Sequence, residues 1–200
     1  MAHEYGNLAA LKERLGIEAS DTSRDAPLMS ALGASSRGID KVTGRRFWLD
    51  DTATSRVFRL AGRVVCEADG DLLLVDDIGD IGDIGNLVVE TGSGTTWSPV
   101  TGYETQPDNA LAQGKPVTGL LRRGSWGTFA SRVRITTRWG YPAEPEDITE
   151  ASLIQSSRLY KRKDSPEGII GSAEWGVRNL SRRDPDVWAL IEPYCLPGFG

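Results

Sequence analysis

Histidine occurs once in this chain, at position 3, and cysteine only twice, at positions 66 and 195. A zinc site needs several Cys or His ligands converging, and His3, Cys66 and Cys195 are too few and too scattered to supply one. Two distant cysteines also exclude a disulfide-built scaffold. Cys66, following Val64-Val65, reads as a buried, inert thiol of a reducing compartment. No run of 18 apolar residues exists, so no membrane span is expected. The opening MAHEYGNLAA has neither the basic nor the apolar region of a signal peptide, and cytoplasmic synthesis is the expectation. An excess of positive charge is missing as well. With 23 basic and 28 acidic side chains the formal net charge is -5, unlike that of a whole-surface DNA binder.

Signatures of catalysis are equally scarce. No Walker-type phosphate loop is present, and Gly92-Ser93-Gly94 reads as a turn leading into a strand, not into a helix. Gly124-Ser125-Trp126-Gly127 contains a serine but lacks the strand–Ser–helix context of a nucleophile elbow and has no histidine to act as base. Glu144, Glu146 and Asp147 suit the start of a helix, where the dipole favours acids, better than a catalytic carboxylate pair. The aspartates of Asp76–Asp83 recur with Ile-Gly spacing, without the register or terminal glutamate of a calcium loop, and read as an irregular, solvated acidic strand or turn. No catalytic, metal or cofactor residue is assigned, and a protein that is not an enzyme is expected.

What is present describes a folded chain, 39% hydrophobic and 26% charged, long enough for one good core or two small ones. Leu8, Leu11 and Leu15 share one face of a short helix ended by Gly16. A second helix starts near Asp25 and ends at Gly44, its stripe running through Leu28, Ala31, Leu32, Ser35, Ile39 and Val42. The period then changes. Arg56–Leu60, Val64–Ala68, Leu72–Val75, Leu87–Glu90, Thr96–Val100, Thr118–Arg122 and Arg132–Trp139 read as strands. The last alternates strictly, with Val133, Ile135, Thr137 and Trp139 on one face and Arg132, Arg134, Thr136 and Arg138 on the other. A third helix follows Pro145, with Ile148, Ala151, Ile154 and Leu159 inward. After a loop of about 18 residues, Asp184 caps a short fourth helix.

Two helices on each side of a β unit are too few to bury their stripes separately. The expected fold is α+β: a small helical bundle, residues 1–49 and 141–200, with an antiparallel β unit, residues 50–140, inserted between the second and third helices. Residues 51–100 hold 9 acidic and 3 basic groups, so the negative charge is concentrated in that insertion. Arg45, Arg46, Phe47 and Trp48 set two cations beside two aromatics. Phe47, Trp48, Trp126, Trp175 and Trp188, where exposed, suit protein interfaces.

Three stretches carry a family likeness. They are Leu8–Gly16 with Leu28–Trp48, which holds ALGASSRGIDKVTGRRFW; RVRITTRWGYPAEPEDI, Arg132–Ile148; and Ala151–Lys163 with Asp164-Ser165-Pro166 and Ser181–Val187. Their order and the Trp-Gly-Tyr-Pro bend resemble the head–tail connector (head-completion or adaptor) family of long-tailed phages and prophages. The resemblance implies a virion protein of the head–tail interface, assembled in the host cytoplasm. It implies a homo-oligomeric ring, usually of twelve subunits, beneath the portal protein. Such a ring extends the DNA channel, passes the genome without sequence-specific binding, and offers a docking surface to a head-closure or tail-completion protein. Portal contact through C-terminal segments maps onto the helix from Pro185 and the tail to Gly200, with Arg182, Arg183, Val187, Trp188, Leu190, Ile191 and Tyr194 as interface candidates. This arm is expected to order on a partner, with packing on its own bundle as the alternative. A nucleic-acid-binding or regulatory module acting through Arg45/Arg46 and Arg132/Arg134/Arg138 is the alternative, and a metal-dependent hydrolase acting through the acidic stretch is third.

Overall fold

The computed structural model describes residues 3–82, 87–128, 131–162, 169–170, 178–179 and 184–196. The fold is α+β, with helices flanking a curled antiparallel sheet inserted in the chain between the second and third helices. The chain divides into two compact units, Met1–Arg45 with Glu144–Gly200, and Arg46–Ala143.

In the helical unit, Asn7 caps α1 (Leu8–Leu15) by accepting from the Ala10 amide, and Gly16 ends the helix at φ 65°. Helix α2 (Asp25–Thr43) ends the same way at Gly44. Asp25 lies inside α2, where it forms an ion pair of 2.6 Å with the buried Lys12 of α1. Leu11, Leu28, Leu32 and Leu153 form one cluster, so helices from both sides of the insertion share a core. Burying each of these leucines contributes about 1.5–3 kcal/mol.

The stripes are not quite those expected. Val42 is 48% exposed. Thr43, four residues after Ile39, takes the inward place and donates to the Ile39 carbonyl at 2.9 Å. In α3 (Glu146–Arg162) Ile148 and Ala151 are buried, but Ile154 and Leu159 are only half-buried, and Ser152, Leu153, Ser156 and Ser157 turn inward instead. The cause is how α2 and α3 meet. Ser35 Oγ donates across to the Ser152 carbonyl at 3.0 Å, while Ser36, Ser156 and Ser157 return their hydroxyls to carbonyls of their own helices. Such self-satisfied small side chains need no further partner and let two helix backbones approach closely.

Two-residue strands, β9 (Ile169–Ile170) and β10 (Arg178–Asn179), pair within the segment expected to be loop. Helix α4 (Pro185–Ile191) starts at Asp184, whose carboxylate accepts from the Asp186 and Val187 amides. Of the two placements expected for this helix, on its own bundle or on a partner, the chain by itself takes the first. Helix α4 packs on α3 of its own chain, Val187 and Ile191 are buried, and Asp184 forms a 2.5 Å ion pair with Arg158.

The sheet unit contains β1 (Thr54–Arg59), β2 (Val64–Glu67), β3 (Gly70–Asp80), β4 (Val88–Ser93), β5 (Thr96–Pro99), β6 (Tyr103–Gln106), β7 (Val117–Arg122) and β8 (Arg132–Trp139). Its order is β5-β4-β8-β3-β7-β6, with β1 added on β8 and β2 on β3. Burial along β8 alternates without a break and puts Val133, Ile135, Thr137 and Trp139 inside, the face that the sequence alternation picks out. Val133, Ile135 and Trp139 pack with Phe58, Leu73, Ile78, Leu120 and Trp126.

Strand β3 is longer than expected. It continues through Asp80, and shifts of register against β7 and β8 absorb the broken alternation of the Ile-Gly-Asp triplets. Strand β6 and a 3-10 turn at Leu111–Gln113 had no clear sequence signal. At the chain's return from the sheet, Leu49 bridges Gly140, and the rings of Phe47 and Tyr141 lie 4.8 Å apart. Gly140 has φ 113°, and a Cβ there would lie 1.8 Å from the Trp48 carbonyl oxygen. Only glycine fits the Trp-Gly-Tyr-Pro bend.

Candidate assembly surface

The residues proposed from sequence as contacts are divided between the helical unit and the sheet unit. In the helical unit Arg45 Nε donates to the Tyr194 carbonyl at 2.9 Å, which brings two of the candidates together. The Leu196 amide donates to the Thr43 carbonyl at 2.9 Å, and the Tyr194 hydroxyl donates to Asp147 Oδ2 at 3.2 Å. Burial, reinforced by the charge of Asp147, pushes the Tyr194 phenol above its ordinary pKa. The chain after α4 is thereby laced to the ends of α2 and α3. Trp188, Leu190 and Tyr194 are half-buried here, and Leu196 and Val42 are exposed. Sequence reasoning did not single out Leu196; its backbone bond to Thr43 and its side chain beside Gly44 show where it lies.

In the sheet unit Arg46 pairs with Asp50 at 3.2 Å, and its guanidinium lies 5.2 Å from the Trp48 ring centroid. Trp48 is half-buried. Phe47 is fully buried in the sheet unit, and Val187 and Ile191 are buried in the helical unit, so each has little surface to offer a partner. Trp126 is also core, its indole N–H donating to the Asp71 carbonyl at 2.8 Å. Arg182, Arg183 and Trp175 lie outside the described residues.

The arginine stripe of β8 is engaged within its own sheet. Arg134 Nε donates to Glu90 at 2.6 Å, a bond that holds the Glu90 carboxyl below its ordinary pKa and raises that of Arg134. Arg138 pairs with Asp80 at 3.0 Å and donates to the Asp50 carbonyl at 2.8 Å. Arg132 donates to the Ser131 carbonyl at 3.1 Å. The acidic stretch is engaged from the other side, with Asp76 holding Arg56 at 2.8 Å and Arg63 at 3.5 Å. Asp83 lies outside the described residues. Among the described residues no group of three or more His, Cys, Asp or Glu side chains is placed to hold a metal ion.

Cys66 differs from expectation: it is exposed, because the end of the β2–β3 hairpin projects past the core. A hydrogen bond with Asp71, and then that carboxylate's charge, push its thiol pKa up, away from the reactive thiolate.

No family model and no curated protein matches the chain. Among solved structures it is similar to a chain in the neck of an empty GTA particle computed with C6 symmetry, at TM-score 0.49 and 17% identity over 100% of this chain and 98% of that one. It is also similar to a chain in the neck of a native GTA particle computed with C12 symmetry, at TM-score 0.42 and 17% identity with the same coverage. Likenesses at this level carry no argument about function.

Proposed function

We propose that the chain is a structural, non-enzymatic head–tail connector subunit, which forms a ring beneath the capsid portal, extends the DNA channel, and docks the next head-closure or tail-completion protein. The observation that carries this reading is the bend from the sheet into α3. Two of the stretches that resemble the connector family, the exit from α2 and the Trp-Gly-Tyr-Pro segment, meet there through Phe47 on Tyr141 and Leu49 on Gly140. Each then has the secondary structure that the resemblance implies, a long second helix and a strand leading into a third. Among the described residues, the half-buried Trp48, Trp188, Leu190 and Tyr194, with Arg45 and Arg46, retain surface for the portal or a neighbouring subunit.

The nucleic-acid alternative loses its main support, since Arg134, Arg138 and Arg46 already face carboxylates of their own sheet. Sedimentation separates the two readings. With purified portal complexes of the same genome the chain should co-migrate, and with arbitrary duplex DNA it should not. Salt-sensitive binding to duplex DNA without portal binding would reverse the assignment.

A further inference from the structure

The outer surface of the curled sheet carries two unlike faces. On β2-β3-β7-β6, register aligns Val65, Leu72, Leu121 and Glu104 in one row, and Leu74 and Gly119 in the next. These alternate with the inward Leu73 and Leu120, so they point away from the core. Val65 and Leu74 are exposed, and Leu72 folds over Gly119, where a Cβ would lie 2.7 Å from its Cδ1. The result is a smooth aliphatic patch on a surface that water should keep polar. Exposed carboxylates stand at its margins, Glu67 beyond Val65 on β2 and Glu104 on the edge strand β6. Of the cations near it, Arg63 is engaged by Asp76, while Arg123 sits at the hairpin end beside Glu67 and Asp69.

The other face lies on β1-β8-β4-β5. Its rows are Val57–Arg134–Glu90–Pro99, Arg59–Arg132–Gly92–Trp97 and Ser55–Thr136–Val88. Val57 and Val88 are exposed, and the Arg134 guanidinium lies 4.5 Å from the Trp97 ring centroid. Three arginines against one glutamate make this face basic, and its aromatic–arginine stack is of the kind that anchors protein contacts. Among the described residues the two quartets of strands pair at Ile78–Trp139 and Asp80–Arg138, at one end of β3 and β8, so the faces belong to separate parts of the curl.

We propose that these faces bind each other between copies: the aliphatic, acid-edged face of one sheet unit seats on the valine–arginine face of the next. Charge complementarity selects a second copy as the occupant. Apolar centres meet, Glu67 and Glu104 approach Arg59 and Arg132, and each face would repel its own kind. Because the two faces differ, the contact is heterologous and propagates from copy to copy until it closes. This inference rests on the ring reading for its biological setting, and gives the inserted sheet the task of bracing neighbours.

The test uses the full chain and two surface variants, Leu74→Arg on the first face and the double variant Arg59→Glu/Arg132→Glu on the second, each checked for an unchanged circular dichroism spectrum and melting transition. By native mass spectrometry and sedimentation velocity, each variant alone should self-associate roughly tenfold or more weakly than the parent chain. An equimolar mixture should form a one-to-one dimer that does not grow, since one intact copy of each face remains. A monomeric parent chain, variants that assemble as well as the parent, or a mixture without heterodimer would overturn the proposal. Portal binding by the same proteins reports separately on the connector reading, which survives if rings still form when the sheet faces are charge-reversed.

Discussion

Single residues in this chain do distinct jobs that composition alone would not separate. Leu32, fully buried between helices from both sides of the insertion, should cost about 2–5 kcal/mol when cut to Ala, whereas Val42→Ala should stay within about 0.5 kcal/mol. Urea denaturation of the two variants measures both values. Glu90 makes a pH prediction. Its folded pKa is depressed by Arg134, so its contribution is present above the ordinary carboxylate pKa and is lost as pH falls through the lower, folded value. The melting temperatures of the parent chain and Glu90→Gln should therefore differ at pH 7 and converge on acidification through that range. A difference that grew instead would mean the pair is not what holds the carboxylate.

At the scale of elements, what could be read in advance followed the size of the side chains. Helices α1 and α2 and strand β8 were legible because large aliphatic residues recur at clean periods and caps stand at the ends. The serine contact between α2 and α3 was not, since a stripe-counting reading passes over small polar residues. Its trace is the pair of Ser-Ser-Arg triplets, Ser35-Ser36-Arg37 and Ser156-Ser157-Arg158, one on each helix. Ser156→Leu should overpack that contact at a cost of about 1–3 kcal/mol, measurable by chemical denaturation, although leucine is the better helix former. Strand β3 was hidden for another reason: its acidic residues suit a strand only because Arg56, Arg63 and Arg138 stand opposite them, and such partners are invisible until the strands are paired. Among the residues proposed as contacts, periodicity marked Val187 and Ile191 as apolar without saying which surface they meet, and in the structure both are buried on a helix that packs on α3. Removing residues 184–200 should therefore lower the melting temperature of the isolated chain, and an unchanged transition would restore the independent arm.

At the scale of the whole molecule, the account rests on an absence of reactive chemistry in the sequence and a presence of contact surface in the fold. Arginines and carboxylates that could have served nucleic acid or metal are largely spent on one another within the sheet. Half-buried aromatics and two unlike sheet faces are the surfaces on which the proposed contacts would be made. Electron microscopy of the purified chain mixed with portal complexes of the same genome tests the central claim most directly. The account predicts an additional ring, coaxial with the portal and following its symmetry, with density for both the helical and the sheet units in every subunit. Portal complexes that remain bare at saturating concentrations of the folded chain would contradict it.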